Sequence, residues 1–319
     1  METCILEIGV ERARLVCGAL DRAGNFTTRT LETATLGAGV TVDEVGGIGR
    51  TEGAEAIAKL GRLVELGRAH APASDLHVIA VDSLGGASNA RAFVRGVERR
   101  LGLAVTVLSP RETVRLAYAA ARAEAPSVSG QAIVAHLGDT AVDFASGTRA
   151  TLDVEATVSI GIERLLRAYE TGPDPLLPED AGALFSLVRL TAGPAAKRLR
   201  AWGAESFLVA SEHVASLRVA ASAFGFVDTR TQSIDRLSLH AFASEALNAT
   251  SVDFARSGIT RRRARSIGAT AVVVDALSDL LGARQVRLAA TGPAEGAALE
   301  ILARPLDRLA AGAESRGRY

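Results

Sequence analysis

Carboxylates and histidines gather on a few short turns of this chain. The first is Glu7-Ile8-Gly9-Val10-Glu11-Arg12, the second His136-Leu137-Gly138-Asp139-Thr140-Ala141-Val142-Asp143, and the third Ser211-Glu212-His213. A fourth group, Ser109-Pro110-Arg111-Glu112-Thr113, opens a helix, with Ser as cap and Pro at the first helical position. Side chains of these types can act as general bases, hold a metal ion or repel an anion. Their spacing contains no metal motif of its own, and the first turn also reads as a hairpin with solvated charges. A separate basic cluster, Arg256, Arg261, Arg262, Arg263 and Arg265, reads as a solvated face.

The turns follow apolar runs that have the length and β-branched content of strands. Thr3 to Ile8, Arg14 to Leu20 and Phe26 to Leu31 read as three strands joined by tight turns. Ala132 to His136, Ala141 to Ser146 and Ala150 to Ser159 repeat that plan. The plan is interrupted by a buried strand from Leu76 to Val81, a helix from Arg91 to Leu101 capped by Asn89, a strand from Ala104 to Leu108, and the helix begun by Ser109. This succession describes a right-handed crossover in an α/β sheet, whose ligands bind beyond the carboxyl ends of the strands. The Ala/Pro/Ser/Gly-rich stretch from Glu124 to Gly130 is the best boundary, giving domains 1–122 and 123–319.

At 319 residues and 48% hydrophobic content, the chain can bury two cores of ordinary size. Its 36 basic and 36 acidic residues cancel, so no global field draws it to nucleic acid or an anionic membrane. No apolar run approaches the roughly 18 residues of a membrane span, and the N-terminus lacks the basic character of a signal peptide. Cys4 and Cys17, both inside apolar runs, read as buried reduced thiols of a cytoplasmic protein. The helical stretch from Arg265 to Leu281 has apolar residues on more than one face, as a homodimer contact would.

The run Ala80-Val81-Asp82-Ser83-Leu84-Gly85-Gly86-Ala87-Ser88-Asn89, with Val107-Leu108-Ser109-Pro110-Arg111-Glu112-Thr113-Val114-Arg115-Leu116 after it, resembles the Ppx/GppA family of exopolyphosphatases and guanosine pentaphosphate phosphohydrolases. The resemblance continues through Ser159-Ile160-Gly161-Ile162-Glu163-Arg164-Leu165 and Thr291-Gly292-Pro293-Ala294-Glu295-Gly296. It implies an α/β fold of two actin-like (ribonuclease H-like) domains, each a mixed sheet with flanking helices, and a ligand cleft between them. It also implies which positions face phosphate: Gly9, Glu11, Arg12, Gly138, Asp139, Thr140, Ser211, Glu212 and Glu295.

Against the family's pattern, this chain loses chemistry as a set. The first loop, Asp-x-Gly-Ser-Asn-Ser in the family, keeps only Gly9. The second, Asp-Ile-Gly-Gly-Gly-Ser-Thr-Glu, keeps Gly138, puts His136 where a metal-holding Asp stands, and puts Asp139 in the cradle. A loop Arg and Glu have become Gly85 and Gly86, and the water-directing Glu has become Thr113. The expectation is therefore a catalytically inactive protein kept for binding or assembly, with no cofactor. The alternative is an active hydrolase of polyphosphate or guanosine pentaphosphate, using Mg²⁺ and a rebuilt base, Glu112 or Asp143, with His136 as the metal candidate. The expected partners are a second copy of the chain and, for the inactive protein, another protein; nucleic acid and membrane are not expected.

Overall fold

The computed structural model describes residues 2–21, 25–37, 46–71, 75–81, 84, 87–149, 151–169, 178–201, 203 and 206–303. Gly85 and Gly86, where the family places its loop Arg and Glu, lie outside them. The chain divides into two compact units, Met1–Leu116 joined by the chain from Pro293 onward, and Ala117–Gly292. The division thus falls earlier than the 122/123 boundary read from the sequence, and the last helix belongs with the first unit. Composition marks a loop well but cannot show a segment returning from the far end of the chain.

Unit 1 is built on β1 (Glu2–Ile8), β2 (Arg12–Leu20), β3 (Phe26–Thr35), β4 (Leu76–Ala80) and β5 (Val105–Val107). Their order is β3-β2-β1-β4-β5, antiparallel through the first three and parallel from β1 outward to β5. The central β1 has neighbours on both edges, so Cys4, Ile5 and Leu6 are buried on both faces of the sheet. The edge strand β3 is Thr/Arg/Glu-rich and largely exposed. Helices α1 (Arg50–His70) and α2 (Ala90–Leu101) cover one face, α2 through Phe93, Val97 and Leu101, spaced four apart. Gly102, at φ 65°, ends α2 in the left-handed conformation that glycine accepts. Asn89 precedes α2, but its side chain does not cap the helix. Its amide instead clamps Ile48, accepting from Ile48 N and donating to Ile48 O, both at 2.8 Å.

The first turns of α3 (Pro110–Glu124) and a helix over residues 293–303 (α11) cover the other face. Ile5, Val16, Ile79, Leu108, Leu116, Ala294, Ala297 and Ala298 form the core there. The helices meet at very close range: a Cβ on Gly296 would lie 2.1 Å from Leu116 O. Arg115 and Glu300 pair across the same contact.

Unit 2 repeats the plan. β6 (Ala132–Leu137), β7 (Val142–Gly147), β8 (Leu152–Val158), β9 (Ser206–Ala210), β10 (Ser233–Asp235) and β11 (Gln285–Ala289) run in the order β10-β11-β9-β6-β7-β8. Only the edge strand β10 departs from the order of unit 1. Helices α4 (Ile162–Tyr169), α5 (Pro178–Arg200), α6 (Glu212–Ala223), α7 (Arg236–Asn248), α8 (Ser251–Ala255), α9 (Arg261–Ala264) and α10 (Ile267–Leu281) surround the sheet. α10 lies among α4, α5, α6 and α7 and is buried almost throughout, which accounts within one chain for its apolar faces. The sequence argument for a homodimer therefore loses its basis.

No helix of the described residues is long and apolar enough to cross a membrane. Cys4 and Cys17 are not reduced thiols: they form a disulfide. The antiparallel register sets them directly opposite, with Cα atoms 4.1 Å apart, where paired strands bring side chains together. Strand spacing shows only after register is known, which is why two cysteines in apolar runs looked inert. Disulfides persist in oxidising compartments, so the thiol argument for a cytoplasmic home falls with them. Thiol titration of denatured, unreduced protein should find no free sulfhydryl. Cys4→Ala/Cys17→Ala should lower the unfolding free energy by about 2–4 kcal/mol in urea, as expected for opening a loop of this length; an unchanged midpoint would contradict a structural disulfide.

Candidate functional site

In each unit the turn after the central strand sits at the carboxyl end of that strand. In unit 1, Gly9 N donates to Arg12 O at 2.8 Å, leaving Val10-Glu11 as a two-residue turn. The turn is stitched to the next segment, since Glu11 O accepts from Leu36 N at 2.7 Å and Gly37 N at 3.3 Å. Val10 and Glu11 are buried, so this is no hairpin of solvated charges.

Beneath the turn lies a buried ion-pair triad. Arg14, 5% exposed, reaches Glu7 at 3.3 Å with Nε and Nη2, and holds Glu295 with Nη1 at 3.2 Å and Nη2 at 3.1 Å. The second oxygen of Glu7 also accepts from Ala294 N at 2.9 Å. Glu7 stands where the family has its first-loop Asp, and Glu295 is one of the expected phosphate-facing residues; here both carboxylates face one guanidinium. The sequence signal for Arg14 was a cation inside an otherwise apolar strand run. Nothing local pointed to its partner at the other end of the chain.

In unit 2, Gly138 N donates to Ala141 O at 2.9 Å and Asp139-Thr140 form the turn. The start of α4 closes on that turn: Ile162 N donates to Gly138 O at 3.0 Å and Arg164 N to Asp139 O at 3.1 Å. These bonds take up the N–H groups of Ile162 and Arg164 at the helix start. Gly161 makes the closure possible, because a Cβ there would lie 2.2 Å from Thr140 N. The side chain of Asp139 is fixed by His213 Nε2, 3.1 Å from its Oδ1, and His213 is buried. Glu163 joins them, and ligand atoms of Asp139, Glu163 and His213 all lie within 4.8 Å of one another. One imidazole and two carboxylates suit a divalent transition metal such as Zn²⁺ in donor type rather than Mg²⁺, which prefers oxygen alone. Glu163 lies in the Ser159–Leu165 run, where no local signal marks it as a ligand.

His136 and Asp143 face each other in the β6–β7 register, Nδ1 to Oδ2 at 3.7 Å, and Thr157 Oγ1 donates to Asp143 Oδ1 at 2.7 Å. Nδ1 of His136 makes no hydrogen bond among the described residues. In the third turn, Ser211 Oγ accepts from Val214 N at 3.2 Å and caps α6, while Glu212 pairs with Arg263 at 3.0 Å. Arg256 likewise pairs with Asp253 at 3.2 Å at the surface, and Arg256, Arg261 and Arg265 are exposed, as a solvated face requires.

Glu112 is a helix cap. Its Oε2 accepts from Ser109 N at 2.8 Å and Ser109 Oγ at 2.7 Å, and Ser109 Oγ accepts from Glu112 N at 3.2 Å. The backbone N–H and hydroxyl of Ser109, with Arg115 nearby, hold its carboxyl below the usual range. Thr113, buried beside it, has a hydroxyl with no hydrogen-bond partner among the described residues.

Two units of one strand order, each with a short turn at the carboxyl end of its central strand, define a two-domain α/β protein of the actin-like class. The chain belongs to the Ppx/GppA phosphatase family, whose sequence model matches residues 21–304. It is similar to the crystal structure of the Aquifex aeolicus member of that family, at 18% identity and a TM-score of 0.77 over 96% of this chain and 98% of that one. An exopolyphosphatase from Cytophaga hutchinsonii is similar at 14% identity, with a TM-score of 0.78 over 93% and 96% of the two chains. An exopolyphosphatase-like protein gives 17% identity and a TM-score of 0.78, over 95% of this chain and 99% of that one. No curated protein matches the chain.

The triad makes a direct stability prediction. Arg14→Met leaves two carboxylates in a poorly hydrated site and should cost about 3–5 kcal/mol of unfolding free energy, whereas adding Glu7→Gln and Glu295→Gln should restore much of it. A loss under about 1 kcal/mol for Arg14→Met in urea denaturation would show the triad to be incidental.

Proposed function

We propose that this chain is a catalytically silent member of the Ppx/GppA family, serving binding or assembly rather than phosphate release. One observation carries the reading: carboxylates standing at phosphate-facing positions are held by partners within their own units. Glu7 and Glu295 share Arg14, Asp139 has His213, and Glu212 has Arg263. A phosphate entering such a turn meets a carboxylate already paired with its own cation or imidazole, and gains no charge-assisted hydrogen bond there.

The chemistry of the base supports the same reading. Thr113 cannot take a proton from water as a carboxylate does, and loss of a positioned base typically removes about 10²- to 10⁴-fold in rate. Glu112 is a poor substitute, because its capping bonds stabilise the charged form and lower its basicity. Under this reading no cofactor is needed; Mg²⁺ belongs to the alternative in which Asp143 acts as base.

Purified protein with Mg²⁺ and either long-chain polyphosphate or guanosine pentaphosphate is expected to release no phosphate above a protein-free control. Release that falls in Asp143→Asn or Glu112→Gln would establish a working hydrolase and reverse the reading.

A further inference from the structure

Away from these turns, unit 2 has a cavity of about 390 Å³ between the end of α3 and the hairpin that leads into β10 and β11. Arg230 and Arg287 border it, and the strand residues Leu208, Leu288 and Ala289 behind it are almost wholly buried. Arg287 Nη1 donates to the carbonyl of Thr231, the neighbour of Arg230, at 3.4 Å. Neither has a carboxylate within ion-pair distance among the described residues.

The acids near the cavity are already engaged. Glu124 accepts from Arg218 Nη1 at 2.7 Å and from Ala290 N at 2.9 Å. Asp228 accepts from Arg230 N and from Thr231 Oγ1, both at 2.9 Å, and these bonds hold its carboxyl below the usual range. With Arg218, Arg230 and Arg287 set against Glu124 and Asp228, the surroundings carry an excess of one positive charge.

A second observation marks the same wall. Gln232, which lines the cavity, is the only described residue other than glycine at positive φ, 53°. Its carbonyl accepts from Leu288 N at 3.0 Å, and its side-chain oxygen accepts from Arg218, which also donates to Leu288 O at 3.1 Å. A glutamine kept in this uncommon conformation by two hydrogen bonds is backbone strain held beside a cavity, an arrangement that clusters at ligand sites. Volume in the range of small-ligand sites and two planar donor forks complete the description.

We propose that this cleft binds a small oxyanion, its phosphate or carboxylate group between Arg230 and Arg287. The site is separate from the phosphate-loop turns and does not depend on whether they are silent. The probes are phenyl phosphate and benzoate, titrated calorimetrically into the full chain, with benzyl alcohol as the uncharged control. At least one anion should bind and the alcohol should not, the phosphate and carboxylate arms distinguishing the two head groups. Arg230→Gln and Arg287→Gln should each weaken binding about tenfold or more with an unchanged melting temperature, while Arg198→Gln, an exposed arginine on α5, should leave it unchanged. Absence of binding by both anions, equal binding of the alcohol, or equal weakening by Arg198→Gln would overturn the proposal.

Discussion

A buried carboxylate must find a cation or a proton donor close by, because taking an unpaired charge out of water costs several kcal/mol. That constraint organises both units of this protein. In unit 1 it is met by Arg14, which lies between Glu7 on β1 and Glu295 on α11 and so ties the end of the described chain to its beginning. In unit 2 it is met by His213 and Arg263. Phosphate-binding turns of actin-like proteins work by leaving N–H groups open to an anion. Here the carbonyls of Glu11, Gly138 and Asp139 accept bonds from neighbouring segments, and the acids Asp139 and Glu212 are held by His213 and Arg263.

The glycines that persist fit this picture, because two of them serve packing rather than ligand. Gly161 lets α4 close on the turn at Asp139-Thr140, and Gly296 lets α11 approach α3. Any side chain at either position would strike backbone, which cannot move aside as a flexible side chain can. The fold can therefore hold its family-typical geometry while the side chains of the turns change. Shape and chemistry are under separate physical control: the first by close approach of backbones, the second by the charges that line the turns.

Much of the architecture was legible in the chain. The repeated three-strand opening, the crossover after β4 and the start of α3 at Ser109-Pro110 all carry local signals of period and capping. Glu112 carried one too, since Ser109 followed three residues later by Glu is a capping box, and reading it as such would have shown the residue engaged before any role as a base arose. What could not be read were pairings set by the tertiary fold. Glu295 with Arg14, Arg263 with Glu212 and Asp139 with His213 join residues far apart in the chain, and Cys4 with Cys17 needs strand register. Asn89 illustrates the same limit on a smaller scale, for a residue with a good capping signal was drawn instead to the backbone of Ile48.

The central claim is that these turns no longer accept an anion, and it can be tested at the turns themselves. Backbone amide resonances of Gly9, Gly138, Asp139 and Thr140 can be followed while tripolyphosphate is titrated into the protein at fixed ionic strength, with and without Mg²⁺. The account predicts that these amides stay where they are, with no saturable shift beyond that of exposed surface amides. Saturable shifts centred on Gly9 and Gly138 would mean that the turns still hold the family's ligand, and would contradict it.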